Sequence, residues 1–406
     1  MVRGAAVAAA IATASGAIAL AGADAAALET AAPSGVAWDD DGTIIVVGPA
    51  GDMPWEPTVG DPANGMLVPG FVDAHTHLPF VGWRADEFEA RLRGVSYAEL
   101  HGREGGIFRS SRFFHDADDE TVLAFSRVLL AEMLALGTTT VELKTGYGLT
   151  LDGELRELSL AHRLRDEADQ TCRVTFLPCH AVPRGWERGS WVEHVTTTLL
   201  PAARTQGFDA VDVYVEDIAF GTDDLREVAA AADAPLRVHA DQLGDTGASA
   251  AAAALGARSA DHLNHCSPAG VEALAAAGTI AMLLPCSTAF MGLRPAPAAA
   301  LREAGVPIAI ATDCNPGTAP VTSMPQAVAA AASVYRIAPL EALTAATLNA
   351  ACVLGLGDGL GTLEVGKRAD LLVLDAPSFA HVPYRPGHDP IRATIAAGEV
   401  LHRRQS

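Results

Sequence analysis

Short hydrophobic runs typical of β-strands alternate with segments of helical periodicity along most of this chain. The strand-like runs lie at 68–72, 138–144, 173–180, 210–216, 236–240, 259–262, 280–285 and 307–313. Between them, hydrophobic positions recur every three or four residues, as at 120–136, 155–167, 224–232 and 248–255. Eight strand–helix units within about 290 residues predict an α/β fold, a closed (β/α)8 TIM barrel over residues 68–357.

The two ends of the chain are predicted to form a small composite β-sandwich beside the barrel. Residues 1–67 contain the strand-like run GVAWDDDGTIIVVGP at 35–49. Residues 358–406 contain GTLEVGKRADLLVLD at 361–375, which indicates strands that return to pair with the N-terminal part.

The Ala-rich start of the chain has two interpretations. We interpret residues 1–27 as containing a degenerate first strand of the sandwich. The alternative is a secretory signal peptide, because Arg3 precedes a run of small residues with Ala-Asp-Ala at 23–25. Glycines and hydroxyl residues interrupt the run, so it is too broken for a transmembrane helix.

Composition and charge narrow the class of partner. The 406 residues carry a formal net charge of −21 at pH 7, which disfavours nucleic acid and anionic membrane surfaces. A small anionic substrate is still compatible, since one local arginine can override the overall field. The six cysteines are scattered without a CxxC pair, which predicts free thiols and a cytoplasmic protein.

Polar side chains that bind metals or transfer protons follow the predicted strands at their C-terminal ends. They are His75, His77, Lys144, His180, Glu216, His239, His262 and Asp313. In a barrel these ends meet at one face, where active sites are built. His75 and His77 are two positions apart, so in an extended chain both imidazoles point to the same side. Each residue alone is compatible with a solvated or satisfied polar group, but the whole set predicts a metal site.

This arrangement resembles the amidohydrolase superfamily, in which HxH follows strand one, histidines follow strands five and six, and aspartate follows strand eight. The resemblance implies one divalent cation, Zn²⁺ or Fe²⁺, with the ligands His75, His77, His239 and Asp313. It also implies that Asp313 takes a proton from a water activated by the cation, and that His262 orients the water or polarises the substrate carbonyl. Glu216 lies near the place of a bridging ligand in two-metal members, so a second cation is the lesser alternative. Lys144 is interpreted as a structural ion-pair partner.

A longer part of the sequence, from about residue 68 to residue 375, is similar to the imidazolonepropionase family. Its motifs are HTHLPFVGWRADEFEARLRGVSY (75–97), GTTTVELKTGYGL (137–149), HAVP (180–183), HADQL (239–243), SADHL (259–263) and ATDCNPGT (311–318). The resemblance implies hydrolysis of the ring amide C–N bond of 4-imidazolone-5-propanoate to N-formimidoyl-L-glutamate, in histidine degradation. A homodimer is a further expectation from this family.

The same resemblance implies the substrate contacts. The matching positions are Arg84, Tyr147, His180, Gln242, Asn315, Gly317 and Thr318. Arg84 would clamp the propionate carboxylate with its planar guanidinium. His180 and Gln242 would hydrogen-bond the imidazolone ring. Taken alone, Arg84 would be an ordinary surface arginine, and Asn315-Pro316-Gly317 a turn.

Two features of the sequence bear on which reaction is predicted. Gln242 stands three residues after His239, where related deaminases carry a proton-shuttling glutamate, and an amide has no titratable proton near neutral pH. This disfavours a deaminase. The segment EGGIFRSSRFF at 104–114 departs from the family pattern in a loop that could line the pocket. Hydrolysis of another cyclic amide or ureide is therefore the main alternative, and a non-catalytic barrel is the least favoured, since the full ligand set is present.

Overall fold

The computed structural model describes residues 2–31, 34–53, 56–61, 63–96, 99–100 and 105–404. Tyr97 and Glu104, which belong to segments singled out in the sequence, lie outside these residues. In chain order, the strands β1 to β18 are Val2–Ala8, Ala10–Thr13, Glu29–Ala31, Ser34–Asp39, Ile44–Pro49, Val59–Gly60, Met66–Pro69, Phe71–Asp73, Thr138–Lys144, Thr171–Cys179, Ala210–Val215, Leu236–Ala240, Ser259–His262, Ile280–Leu283, Ile308–Ile310, Leu371–Leu374, Ile391–Ala396 and Glu399–Arg403.

The helices lie mainly between the strands of the central sheet. In chain order, α1 to α15 are Ala85–Leu92, Ile107–Asp116, Asp119–Ala135, Leu151–Glu167, Arg188–His194, Leu200–Arg204, Thr222–Ala232, Ala248–Ala254, Pro268–Ala277, Pro285–Met291, Ala298–Glu303, Met324–Val334, Pro339–Ala346, Leu348–Val353 and His381–Tyr384. Within the described part of the chain, no helix is both long and apolar enough to cross a membrane.

The central sheet is an eight-stranded parallel barrel in which β8 to β15 follow one another in chain order. This confirms the predicted (β/α)8 architecture. The predicted strands at 138–144, 236–240 and 259–262 have the observed bounds. Their β-branched and apolar residues are buried, as expected for parallel strands covered by helices.

The first predicted strand, at 68–72, is in fact two strands separated at Gly70. The preceding β7 belongs to the sandwich, whereas the following β8 opens the barrel. A Cβ atom on Gly70 would lie 2.3 Å from Oγ1 of Thr139, so the chain passes between the two sheets where only glycine fits.

The barrel closes at the end where the site is built. An isolated parallel bridge joins Thr76 to Cys314, and the backbone N–H of Asp313 donates to the carbonyl of His75 at 3.0 Å. The closure therefore places the two predicted histidine ligands of the first βα unit beside the aspartate of the eighth.

The sandwich is built from both chain ends, as predicted. One sheet has the order β5-β4-β1-β6 and the other β18-β17-β16-β7-β2-β3. Their shared core includes Trp38, Ile44, Leu67, Leu371 and Ile395. The Ala-rich start forms β1 and β2, which confirms the strand interpretation of that segment, and the domain limit predicted after residue 67 falls within β7.

Candidate active site and metal centre

Histidine nitrogens and one carboxylate oxygen converge at the C-terminal mouth of the barrel. Nε2 of His77 lies 3.4 Å from Nε2 of His239 and 3.4 Å from Oδ1 of Asp313. Nε2 of His75 lies 3.6 Å from the same oxygen. Ligands about 2.0–2.1 Å from a tetrahedral cation are about 3.4 Å apart, so these spacings fit a divalent metal.

The hydrogen bonding and the protonation of these histidines also suit a metal ligand. Nε2 of His75 is buried and has no hydrogen-bond partner in the described part of the chain, although buried polar atoms are nearly always paired. Burial lowers the pKa of His75 and of His77 well below the usual value, so both imidazoles are neutral. Neutral imidazole is the form that binds a cation. His75 forms one metal-competent group with His77 and Asp313, and a second with His239 and His262.

Carboxylates orient two of these histidines from behind. Nδ1 of His75 lies 2.6 Å from Oδ2 of Asp261, and Nδ1 of His239 lies 3.1 Å from Oδ2 of Asp212. At His75 the carboxylate accepts the proton on Nδ1, which leaves the lone pair of Nε2 for a metal. At His239 the contact with Asp212 is electrostatic.

Buried ion pairs connect these two carboxylates into one network. Nη2 of Arg237 donates to Asp261 at 2.8 Å, and its Nη1 contacts Glu142. Nζ of Lys144 lies 2.8 Å from both Glu142 and Asp212. Lys144 is thus an ion-pair partner, as interpreted from the sequence. We call these five residues, Asp261, Arg237, Glu142, Lys144 and Asp212, the ligand-support network.

The formal charge of this region suits a divalent cation. The ligand-support network contains three carboxylates and two cations, and Asp313 adds a fourth carboxylate. Buried charges are costly unless they are balanced. A cation of charge +2 would bring the sum, with neutral histidines, to zero.

Sequence reasoning missed the carboxylates and the arginine of this network. A signal was present, because Glu142 precedes Lys144 by two positions and Arg237 precedes His239 by two positions. Residues at this spacing in a strand share a face. A polar residue at the C-terminal end of a strand can therefore be preceded, two positions earlier, by a second polar residue on the same inward face.

Asp313 and His262 adopt left-handed backbone conformations, with φ of 59° and 74°. Such conformations are uncommon for residues with side chains and cluster at functional sites. Burial raises the pKa of Asp313 and lowers the pKa of His262 to about 3. His262 is therefore neutral. Its Nδ1 lacks a hydrogen-bond partner among the residues the structure describes.

A small cavity opens from this cluster. Its lining residues are His77, Arg84, Ile107, Tyr147, His180, Tyr214, His239, Gln242, His262, Asp313, Asn315 and Thr318. The fold thus brings the sequence-predicted residues into one pocket, apart from His75, which is wholly buried behind it, and Gly317.

Arg84 is a buried guanidinium in the wall of this cavity. Only 3% of Arg84 is exposed, and its Nε and Nη1 atoms have no hydrogen-bond partner in the described residues. The nearest carboxylate oxygen is Oε2 of Glu87, 3.6 Å from Nε. Gly317 packs against the guanidinium so closely that a Cβ there would lie 1.9 Å from Nη2. An arginine with idle donors in a small pocket is suited to bind an anion.

His180 is held in one tautomer beside the predicted ligands. Its Nδ1 lies 3.0 Å from the carbonyl oxygen of Gly146, which only accepts, so Nδ1 carries the proton and Nε2 is an acceptor. The ring stacks on His77 with centroids 5.0 Å apart, and the Tyr147 ring lies 5.4 Å away. Burial lowers the pKa of His180 well below its usual value.

The Asn315 side chain holds its own turn. Its Oδ1 accepts from the backbone N–H of Gly317 at 3.0 Å and of Thr318 at 2.8 Å, and its Nδ2 donates to the carbonyl of Asp313 at 2.7 Å. Asn315 therefore shapes the segment that carries Asp313 and packs against Arg84. Thr318 reaches the pocket, whereas Gly317 supports the guanidinium from the side.

Tyr214 is a pocket residue that sequence reasoning missed. Its hydroxyl donates to Oε1 of Gln242 at 3.0 Å, which leaves the amide N–H groups of Gln242 as the donors for other partners. Nε2 of Gln242 lies 3.9 Å from Sδ of Met291. Tyr214 lies on β11 two positions before Glu216, so it could have been found as a second polar residue on that strand.

The segment at 104–114 was expected to be a loop, and this expectation is wrong for its described part. Helix α2 begins at Ile107, and its buried residues Ile107, Ser110, Ser111 and Phe114 follow the spacing of one helix face. Ile107 lines the cavity, so this divergent segment does reach the pocket.

Glu216, the candidate ligand of a second cation, accepts from the N–H of Leu243 at 2.8 Å and belongs to neither metal-competent group of the described residues.

Comparison with known proteins agrees with this geometry. The sequence profile of the amidohydrolase family matches residues 66–401. The imidazolonepropionase of Paracoccus denitrificans is 42% identical over 372 residues, which cover 89% of this chain and 92% of that protein. The imidazolonepropionase of Xanthomonas campestris pv. campestris is 42% identical over 373 residues, which cover 90% and 92%.

Solved structures share the fold at lower identity. Escherichia coli guanine deaminase matches with a TM-score of 0.73 and 18% identity, covering 99% of this chain and 100% of that chain. An adenosine deaminase from Xanthomonas campestris with bound zinc matches with a TM-score of 0.69 and 20% identity, covering 98% and 92%. At such identities the likeness concerns the fold alone. The family profile and the 42% identical relatives decide the matter: the chain belongs to the amidohydrolase family and, within it, to the imidazolonepropionases.

Proposed function

We propose that this chain hydrolyses the ring amide C–N bond of 4-imidazolone-5-propanoate to give N-formimidoyl-L-glutamate in histidine degradation. The observation that carries this proposal is that one small cavity joins the buried guanidinium of Arg84 to the metal-competent cluster. A substrate that presents a carboxylate at one end and a cyclic amide at the other would use both.

In the proposed complex, the substrate lies between Arg84 and the histidines. The guanidinium binds the propionate carboxylate through its idle N–H donors. Nε2 of His180 accepts a ring N–H, because Nδ1 is already engaged with Gly146. The amide N–H of Gln242 donates to the ring, because Tyr214 occupies its oxygen. Tyr147 closes the pocket on the side of His180.

The chemical step needs a nucleophilic water, a base and a donor for the developing charge. A bound divalent cation would lower the pKa of water and polarise the ring carbonyl. Asp313 accepts the proton of the attacking water, whose oxygen bonds to the carbonyl carbon. Neutral His262 donates a hydrogen bond to the oxyanion. The carbon–nitrogen bond then breaks, and Asp313 returns the proton to the leaving ring nitrogen.

We also propose that the cation is a single Zn²⁺ or Fe²⁺, bound by His75, His77, His239 and Asp313. Three imidazoles and one carboxylate are ligands that both ions accept. A single ion is favoured because the Glu216 carboxylate is engaged with the backbone of Leu243. A second ion is the lesser alternative.

We also propose a location, an assembly and domain limits for this chain. Six free cysteines favour the reducing cytoplasm. A homodimer is proposed from the family, and the negative net charge disfavours nucleic acid. We propose residues 1–67 and 358–406 as the two parts of the sandwich and 68–357 as the barrel, except that β7 extends the first part of the sandwich to Pro69.

A coupled assay tests the activity. Urocanase would generate the unstable substrate in situ, and its ultraviolet absorbance would be followed with native, chelated and metal-restored protein. Faster loss that requires the metal is the expected result. No acceleration by protein shown to contain its metal would refute this substrate. Another cyclic amide or ureide would then be favoured, with Ile107 of the divergent segment as the first residue to exchange.

A further inference from the structure

The loop at residues 146–149, between β9 and α4, sets two features of the pocket. It carries Tyr147, which lines the cavity. It also presents the carbonyl of Gly146 to Nδ1 of His180, and so decides which nitrogen of His180 faces the substrate. The position of this loop therefore controls two groups that the proposed function assigns to substrate binding.

One carboxylate holds the backbone of this loop. Oε2 of Glu157, on α4, accepts the backbone N–H groups of Gly146, Tyr147 and Gly148 at 3.0, 2.9 and 2.9 Å. Glu157 is wholly buried. Consecutive N–H groups that converge on one oxygen fix the backbone around that oxygen, because all three donors share a single acceptor.

A second buried glutamate on the same helix holds the end of the loop. Oε1 of Glu154 accepts the N–H of Leu149 at 2.8 Å, and Leu149 has a left-handed φ of 48°. Burial raises the pKa of Glu154 to about 8, because the charged form is poorly solvated. Burial beside Glu154 also raises the pKa of Glu157 well above its usual value. A protonated carboxyl keeps an acceptor oxygen, so the three N–H bonds to Oε2 of Glu157 do not require a negative charge.

We propose that Glu157 is a positioning residue for the reaction. It fixes the loop at residues 146–149 so that Tyr147 and Nε2 of His180 face the substrate. The role of these two groups rests on the proposed function, whereas the hold of Glu157 on the loop does not. A buried glutamate that served stability alone would also bind backbone N–H groups, so the test must separate stability from positioning.

The variants are Glu157→Asp, Tyr147→Phe and the double variant, with Glu341→Asp as the control. Aspartate keeps the carboxyl group of residue 157 but withdraws it by one methylene. Glu341 is a buried helical glutamate paired with Arg302 at 2.9 Å, away from the loop. For each protein, hydrogen exchange of the peptide that spans the loop, the melting temperature, kcat and KM would be measured with the metal-loaded full chain.

We expect exchange in the loop to quicken by at least about tenfold in Glu157→Asp and to stay unchanged in Glu341→Asp. The value of kcat/KM should fall by about 10- to 100-fold, chiefly through KM, because small misplacements are costly. The double variant should lose little beyond Glu157→Asp alone, since a misplaced Tyr147 has nothing left to contribute.

Unchanged loop exchange, fully additive losses, or a lower melting temperature with normal kinetics would each overturn the proposal. If Glu157→Asp does not fold, Glu157→Gln keeps the size and one acceptor oxygen, and the same readouts apply. If the unmodified protein does not turn over 4-imidazolone-5-propanoate, the proposed function fails. Loop exchange in the Glu157 variants then decides alone whether this carboxylate holds the loop.

Discussion

Oδ2 of Asp261 lies 2.6 Å from Nδ1 of His75, at the start of a series of buried contacts that ends at His239 on the other side of the cluster. The same oxygen accepts from Arg237 at 2.8 Å. Two histidines on different strands are therefore oriented by one connected set of charges. The ligand-support network defines the tautomer of His75 before any cation binds.

Exchange of Asp261 should therefore weaken metal binding without abolishing the fold. In Asp261→Asn the charge that holds Nδ1–H of His75 is lost, and we expect affinity for Zn²⁺ to fall by about 10- to 100-fold. Competition with a chelating dye would measure it. Asp209→Asn is the control, because Asp209 pairs with Arg173 just before β11, at the N-terminal end of that strand and away from the mouth of the barrel. Equal losses in both variants would contradict the role of Asp261.

Arg84 should be the main determinant of the enzyme's selectivity for an anionic substrate. In Arg84→Gln the buried cation is removed, and kcat/KM for 4-imidazolone-5-propanoate should fall by about 100-fold or more, since hydrogen bonds to charged groups are worth about 1.5–3 kcal/mol each. Steady-state kinetics would measure the loss. Arg93→Gln, on the exposed surface just beyond α1, should have no effect. If Arg84→Gln barely changes the kinetics, the enzyme acts on a neutral cyclic amide or ureide.

The barrel and the residues at its mouth could be predicted because their signals are local. Each strand is a short run of β-branched and apolar residues, and the C-terminal end of a parallel strand is visible in sequence as the place where a polar residue follows the run. His239, His262 and Asp313 were found in this way. Substrate contacts such as Arg84 were assigned only through family resemblance, since a lone arginine has no pattern of its own.

The features that could not be predicted depend on contacts between distant parts of the chain. Glu142 and Arg237 touch across the barrel although 95 residues separate 142 from 237. A charged residue inside a strand looks unfavourable until its partner is known. The break at Gly70 also escaped prediction, because the run 68–72 is continuous in hydropathy. Thr139 leaves no room for a side chain at residue 70, where the chain passes from one sheet to the other.

Loss of the Tyr214 hydroxyl should release Gln242. In Tyr214→Phe the hydrogen bond at 3.0 Å disappears. The amide of Gln242 can then rotate, and its oxygen can take the place of the N–H group that is proposed to donate to the substrate ring. We expect kcat/KM to fall by about tenfold, in line with about 1–1.5 kcal/mol for one neutral hydrogen bond, with metal content unchanged. Metal analysis and kinetics would be run side by side. Tyr335→Phe removes a buried hydroxyl paired with Thr288 and is the control for simple loss of packing. Equal effects in both variants would remove the special role of Tyr214.

Removal of the metal should lower stability as well as activity. Without the cation, Asp313 and the ligand-support network have two carboxylates in excess of cations in a buried region. A ligand present at about 100 times its Kd stabilises the native state by about 2.7 kcal/mol, so the chelated protein should melt several degrees lower. Differential scanning fluorimetry with added Zn²⁺, Fe²⁺ or Na⁺ would measure the recovery. Recovery with Na⁺ alone would contradict a specific divalent site.

Glu216 should make the stability of the protein depend on pH. Burial raises its pKa from 4.5 to about 7, because the charged form is poorly solvated. The stabilisation associated with the protonated form is complete below about pH 4.5 and is lost as the pH rises through about 7. Glu216→Gln mimics the protonated carboxyl, so its free energy of unfolding should exceed that of the unmodified protein at pH 8, by about 1–3 kcal/mol after allowance for screening. Urea titrations at pH 5 and pH 8 would show the difference growing with pH, and Glu227→Gln on the exposed face of α7 should show none.

Because Glu216 lies outside the proposed ligand set, the Glu216→Gln variant should keep the same amount of bound metal. A loss of one metal ion per chain would instead place Glu216 at a second cation site.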